Sequence, residues 1–393
     1  MDSRPVLVLG STGYVGGRLV PLLLDAGYRV RVMGRSAAKI VSRPWTRHPL
    51  LETREGDILD IESLRAAVRD CRAAYYLVHS VGSRKTEVEE AERQGAFNML
   101  TASKDSTLKR IIYLGPLAAD CGSHPGPPHG SYLRARCAVS EILGSGPVPL
   151  TFLRAATILG SGSASFEIMR YLADRQALAL APPWMRVPIQ PISIRNALFY
   201  LMGCLEHDET MGQEFDIGGP EVLTFKQLMQ IYAEVAGLKK RLILPTPFIS
   251  PRLSAYWIHL VTPVPARVAQ PVAESLQNGA VCREHRIRSI LPQELLDCRE
   301  TIRRALDKVE QQTVEACWMD AGALCPPEWA RRGDDRFAGG SVMRCGYRIR
   351  LDASPEEVWE HIVRIGGQTG WYHGEHLWVL RGILDKIFGG TSL

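Results

Sequence analysis

The chain has 393 residues, 46% of them hydrophobic and 23% charged, with a formal net charge of +5. That length suffices for two or three domains and a sizeable core. The composition is that of an ordinary globular protein, and so slight a charge excludes nucleic acid as the main partner. The nine cysteines show no C-x-x-C or other metal-ligand spacing, so no metal site is expected. Their odd number, and a start without an apolar leader, point to reduced thiols and a cytoplasmic protein. No apolar run reaches the ~18–20 residues of a spanning helix. The uncharged stretch Leu253–Ala266 is broken by Pro263 and Pro265 and reads as a buried or interface segment, with peripheral membrane contact the lesser alternative.

In chain order, Val6-Leu-Val-Leu9 predicts a buried parallel strand, and Gly10, Gly13 and Gly16 a turn into a helix. Gly10 permits the tight turn, Gly13 a close approach to a ligand, and Gly16 close packing of helix on strand. A helix N-terminus following such a turn favours a phosphate. The candidate cradle is therefore Gly10, Ser11, Thr12, Gly13, Tyr14, Val15 and Gly16, against the alternative of a glycine-rich turn in some other α/β protein. A helix over Tyr14–Ala26 contains Pro21 and stops at Gly27.

Further strands are expected at Arg29–Met33, Glu52–Glu55, Ala73–His79, Lys109–Leu114 and Leu150–Arg154. Helices are expected around Ile61–Val68, Thr86–Ser103 and Tyr132–Leu143. Alternation of this kind predicts a doubly wound parallel sheet with helices on both faces and a ligand at the carboxyl ends of the strands. Beyond Ala155 the pattern loosens. It includes a helix over Ile194–Leu205, the turn Phe215-Asp-Ile-Gly-Gly-Pro220, and a capping box of Thr224 with Gln227. The proline-rich stretch Pro245–Pro271 reads as a linker or an irregular packed segment, and a charged helix is expected over Pro292–Gln311. A strand over Val342–Leu351 and a helix opened by Ser354-Pro355-Glu356-Glu357 close the chain. The expected domains are 1–240, with a small lobe mainly in 155–240; a proline-rich and helical connection over 241–334; and a partial α+β segment over 335–393.

No acid stands at the end of the second strand to take the ribose hydroxyls of NAD. Instead Arg35 stands there with Arg31, Ser36 and Lys39 nearby, and a guanidinium fork matches a 2′-phosphate. NADP(H) is expected, with NAD the alternative; the bland reading is a solvated basic loop. Val78, His79 and Ser80 end the fourth strand beside the expected ribose and pyrophosphate, or serve a structural role. Phe166, Met169, Trp184 and Met185 are candidates for an apolar substrate pocket or for ordinary core.

On Gly10-x-x-Gly13-x-x-Gly16, Gly56-Asp57 and the Phe215–Pro220 turn, roughly the first 240 residues resemble the extended and atypical short-chain dehydrogenases/reductases, which are NAD-dependent epimerase/dehydratase-like. The resemblance implies a Rossmann sheet with a substrate lobe and a bound NAD or NADP. It also implies that Asp57, followed by Ile58, meets the adenine. Members that transfer hydride use Tyr-x-x-x-Lys with a Ser or Thr. Here Tyr132-Leu-Arg-Ala-Arg136 keeps the tyrosine and replaces lysine by arginine, and Leu114-Gly115-Pro116 offers no hydroxyl. Tyr132 and Arg136 are the catalytic candidates. The run Asp352–Trp359 is similar to the opening of a helix-grip fold (START or polyketide-cyclase-like). Roughly 60 residues are too few for a whole domain of that kind, which points to a chain cut short, with a tail put to another use as the alternative. The expected function is an NADP(H)-dependent oxidoreductase acting on a small, lipophilic carbonyl or alcohol. The alternative is a non-catalytic dinucleotide-binding sensor or structural subunit.

Overall fold

The computed structural model describes residues 3–78, 85–117, 131–176, 178–246, 250–262, 264–277, 279–310, 350–364 and 374–387. Six strands follow the expected rhythm: β1 (Val6–Leu9), β2 (Val30–Gly34), β3 (Leu51–Glu55), β4 (Ala73–Tyr76), β5 (Arg110–Pro116) and β6 (Leu150–Ala155). With Glu214–Ile217 they form one parallel sheet in the order β3-β2-β1-β4-β5-β6-Glu214–Ile217. Strand order reverses between β1 and β4, which opens a crevice there at the carboxyl ends.

The pleat sorts the sheet's residues into two cores. Val6 and Val8 pack with Leu19, Val20 and Leu23 of α1 (Gly16–Asp25), and Leu201 belongs to the same cluster. Leu7 and Leu9 share the other core with Leu64, Met99 and Val139. The helices on this second face are α3 (Ile61–Val68), α4 (Lys85–Lys104) and α5 (Ser131–Gly144), while a short α2 (Ala37–Val41) follows β2. The fold is a Rossmann-type α/β sheet followed by helices.

The lobe is built from α6 (Ala164–Arg175), α8 (Phe225–Val235) and elements after them, whereas α7 (Ile194–Glu206) packs on the sheet, with Leu198 and Leu201 in the same core as Val6 and Val8. Thr224 and Gln227 form the capping box of α8. The proline-rich stretch is neither linker nor irregular. It forms α9 (Pro251–Val261) and α10 (Ala266–Leu276), whose Ala255, Ile258, Ala269 and Ala273 enter one core with Phe166, Met169, Phe225 and Trp184. Pro251 stands in the first turn, where its missing N–H costs nothing. Next come α11 (Ile287–Ile290) and α12 (Cys298–Glu310), the latter shorter than expected. Residues 292–297 form no helix: Asn196 donates to Gln293 Oε1 and to the Glu294 carbonyl, and Asp297 then caps the helix through the Glu300 N–H.

The chain clusters into two compact units: residues 1–322 without 174–177, and 323–393 with 174–177. The second contains α13 (Pro355–Ile362), with Ser354 and Glu357 as its capping box, and α14 (Glu375–Ile387). The strand expected at Val342–Leu351 lies almost wholly outside the described residues, and Arg350 and Leu351 are not in a strand. Among the described residues no helix is long and apolar enough to cross a membrane, and no cluster could hold a metal.

Cys71, Cys204, Cys282 and Cys298 are free thiols, but Cys137 is disulfide-bonded, a departure from the all-thiol expectation. Burial pushes the thiols up, Cys71 to about 11 and Cys204 and Cys282 to about 12, so none of these three is a thiolate near neutral pH.

Both edges of the sheet carry carboxylates. At Glu214–Ile217, Asp216 Oδ1 accepts from Arg154 Nε at 2.7 Å and its Oδ2 from the Arg283 N–H at 2.8 Å; its own N–H donates to Glu284 Oε1 at 2.8 Å. On β3, Glu52 Oε2 accepts from Arg31 Nε and Nη2 at 2.9 and 2.8 Å, and Arg29 adds a bond at 2.8 Å. Arg31 is buried and also donates to the Ala67 carbonyl, so it braces β2 against β3.

Burial acts to raise the Glu52 pKa, but hydrogen bonds and charge from Arg31 and Arg29 outweigh it and hold the carboxyl below its ordinary 4.5. A lowered folded pKa means stability that is present above the ordinary value and lost as pH falls through the folded one. Chemical denaturation at a series of pH values should therefore show wild-type stability falling below pH 4.5. Glu52→Gln, less stable at neutral pH, should lose less on acidification; equal slopes would refute the role of this pair.

Candidate functional site

The crevice begins where β1 turns into α1. Gly10 adopts φ +83°, and a Cβ there would lie 2.5 Å from the Leu77 carbonyl oxygen, just past β4. A Cβ on Gly16 would lie 2.3 Å from the Gly10 carbonyl oxygen, while one on Gly13 would lie 3.3 Å from it. The turn closes through the Gly13 N–H donating to that same carbonyl at 3.0 Å. Only glycine permits Gly10 and Gly16 to pack in this way.

Two features of the turn suit a phosphate. Val15 stands at the N-cap of α1 with no side-chain cap and no acid in the first turn; the Gly17 and Arg18 N–H groups donate to the Gly13 and Val15 carbonyls, so the Gly16 N–H is the leading donor left to a ligand. Ser11 is buried, yet its Oγ has no hydrogen-bond partner among the described residues. An orphaned hydroxyl beside an uncapped helix is what a bound pyrophosphate would satisfy. The residues present fit a dinucleotide.

Two arginines that sequence reasoning passed over frame this turn, and a third stands elsewhere than expected. Arg18 lays its guanidinium 4.3 Å from the centre of the Tyr14 ring and donates to the Ser161 carbonyl at 2.8 Å. It thereby ties α1 to the Gly160–Ser163 segment. Arg43 Nη2 donates to the Thr12 carbonyl at 2.9 Å. Arg31, expected near the cofactor, is instead the buried brace to Glu52. Arg35 is exposed at the end of β2 and makes no hydrogen bond or ion pair among the described residues, while Ser36 caps α2 by accepting from the Lys39 N–H. Asp57 is half-buried; its Oδ1 accepts from the Leu59 N–H at 3.1 Å, a local turn. Ile58 is buried, and its carbonyl accepts from Asn98.

Beyond Leu77 the crevice wall continues to Val78, whose carbonyl accepts from Arg136 Nη1 at 3.1 Å. His79 and Ser80 lie outside the described residues. Arg136 is fully buried, its Nη2 lies 2.9 Å from Glu92 Oε1 on α4, and its guanidinium stands 5.4 Å from the centre of the half-buried Tyr132 ring. Burial works against the charge, but Glu92 foremost and the tyrosines 132 and 113 outweigh it, so the Arg136 pKa is raised and the guanidinium stays charged. Glu92 carries no motif that could have announced it. The structure thus joins the glycine turn, the end of β4, Arg136 and Tyr132 in one run of contacts.

The missing hydroxyl on β5 has a steric cause. A Cβ on Gly115 would lie 2.7 Å from the Phe152 ring and 3.0 Å from that of Tyr113, and these two rings stack at 5.1 Å. Serine does not fit there without displacing Phe152. Phe166, Met169, Trp184 and Met185 are fully buried in the core of the lobe; Trp184 packs on Phe225 at 5.2 Å and donates to Ser254.

The comparisons with known proteins agree with this geometry. Residues 10–173 match a family model described as NAD(P)H-binding. The chain is similar to a 3 beta-hydroxysteroid dehydrogenase/Delta 5-->4-isomerase of Mycobacterium tuberculosis, 31% identical over 117 residues, 28% of this chain and 30% of that protein. Less than a third of that relative's length is therefore spanned. A longer match, 24% identical over 275 residues, covers 67% of the chain and 66% of the NADH dehydrogenase [ubiquinone] 1 alpha subcomplex subunit 9, mitochondrial, of Arabidopsis thaliana. Among solved structures, the Bordetella bronchiseptica enzyme WbmG in complex with NAD superposes with a TM-score of 0.62 at 15% identity, covering 79% of this chain and 95% of that one. With the glycine turn, the strand order and these likenesses in hand, residues 10–173 are an NAD(P)H-binding domain built on a Rossmann-type sheet.

Proposed function

We propose that the protein is an NADP(H)-dependent oxidoreductase that interconverts an apolar carbonyl compound and its alcohol, with Tyr132 as the acid/base. The observation that carries this reading is the fixed pair on α5. Arg136 is held by Glu92 and the Val78 carbonyl, and it presents its charge to the Tyr132 ring at the wall of the crevice. The bound dinucleotide supplies a carbon that gives or takes hydride. Tyr132 donates its hydroxyl proton to the substrate oxygen during reduction and recovers it in the reverse direction. Arg136 orients the ring and stabilises charge on the phenol oxygen, in place of lysine. Arg35 receives the 2′-phosphate, since a free guanidinium and no acid follow β2. Asp57, Ile58, Val78, His79 and Ser80 complete the nucleotide pocket by family likeness. An apolar substrate is supported by the steroid named for the mycobacterial relative.

A second reading, a nucleotide-binding structural subunit without turnover, is favoured by one observation. Phe152 fills the place of the family's serine or threonine. The match to two thirds of a plant NADH dehydrogenase subunit supports it too. Single-turnover oxidation of NADPH with a panel of carbonyl compounds separates the readings.

Three variants test the site. Arg35→Ala should weaken NADPH by roughly 10- to 100-fold in calorimetric titration and leave NADH unchanged; equal losses would refute the 2′-phosphate assignment. Tyr132→Phe should lower turnover by about 10²–10⁴-fold while NADPH affinity holds, and undiminished turnover would remove Tyr132 from the mechanism. Gly16→Ala, by forcing the turn away from the Gly10 carbonyl, should abolish binding of both nucleotides and cost about 1–3 kcal/mol of stability in urea unfolding.

A further inference from the structure

Positive charge is not spread evenly along this chain. Residues 235–273 contain no aspartate or glutamate, yet include Lys239, Lys240, Arg241, Arg252 and Arg267. This one stretch carries as much net charge as the whole protein's +5, so the remainder is close to neutral. It also carries apolar side chains that the fold leaves in water. The strand Leu242–Pro245 pairs in parallel with Leu178–Ala181, Leu242 opposite Leu178 and Leu244 opposite Leu180. Within it Ile243 is buried in the lobe core, whereas Leu242 and Leu244 are 60% and 42% exposed. Alternation along a strand normally exposes polar residues on the outer face; here that face is leucine. On α9, Ala255 and Ile258 enter the same core while Leu253 and Tyr256 are 56% and 57% exposed. Lys239 and Lys240, immediately before the strand, are exposed and make no ion pair among the described residues.

We infer that this face docks on an anionic lipid surface, with Leu242 and Leu244 entering the headgroup boundary and Lys239 and Lys240 meeting the lipid charge. The pairing of exposed leucines with unpaired cations on an acid-free stretch selects this occupant. A bilayer interface rewards both, since apolar side chains leave water and each cation gains from the negative surface potential. A nucleic acid would use the cations and leave the leucines in water, and a second copy of this chain would bring the same cations against themselves. The inference does not depend on the nucleotide site.

Sedimentation of the full chain with vesicles tests it. The protein should pellet with vesicles of equal parts phosphatidylcholine and phosphatidylglycerol, not with phosphatidylcholine alone, and binding should weaken as salt is raised. The double variants Lys239→Glu/Lys240→Glu and Leu242→Ser/Leu244→Ser should each reduce binding by at least about tenfold, with thermal midpoint and NADPH affinity unchanged. Failure to pellet with the anionic vesicles, or undiminished binding by either double variant, would overturn the inference. So would a dimer in light scattering that Leu242→Ser/Leu244→Ser dissociates while vesicles bind nothing.

Discussion

The β1–α1 turn passes so close to the end of β4 that there is no room for a Cβ at Gly10, and the same carbonyl that closes the turn excludes one at Gly16. These approaches bring three chain segments to one point: the first turn of α1, the loop itself and the Leu77–Val78 exit of β4. The orphaned Ser11 hydroxyl and the uncapped helix start follow from that arrangement. So does the reach of Arg136 to the crevice wall, because Val78 stands there only while Leu77 packs beneath Gly10.

Arginine on α5 does what lysine could not. A guanidinium has donors on several sides and a flat face, so one group can meet the Glu92 carboxylate, bond the Val78 carbonyl and lie near Tyr132 at once. Burying such a cation is costly unless a counter-charge is buried with it, and Glu92 is that counter-charge. The exchange of lysine for arginine is therefore not conservative. It turns a compact charge beside the tyrosine into a brace linking α4, α5 and β4.

Much of the fold was legible from local pattern. The glycine turn, the strand–helix alternation and the Thr224 capping box needed only spacing to be recognised, and they stand in the structure. Less local features were not legible. Pro251 and Pro271 suggested a linker, but the first begins a helix and the second is tolerated inside one packed on the lobe core. Arg31 and Arg35 are close in sequence and similar in chemistry; only the β2–β3 register shows that one is buried on Glu52 and the other free. Glu92 stands among other acids on α4, and its burial against Arg136 depends on how α4 meets α5. The absent hydroxyl at Gly115 was read from the sequence, but its cause, the Phe152 ring, comes from the neighbouring strand.

The treatment of the sheet's two outer strands has a consequence for how copies of this molecule meet one another. An open strand edge is a template on which any extended chain can add itself. At Glu214–Ile217 the Asp216 N–H is already given to a Glu284 carboxylate, and Asp216 itself fastens the Arg283 backbone across that edge. At β3 the half-exposed run Leu51-Glu-Thr-Arg-Glu55 presents charge of both signs. A visiting strand would have to displace ion pairs at both edges, those of Asp216 at the first and of Glu52 at the second. The same carboxylates that hold the sheet's ends in register thus keep the sheet finite.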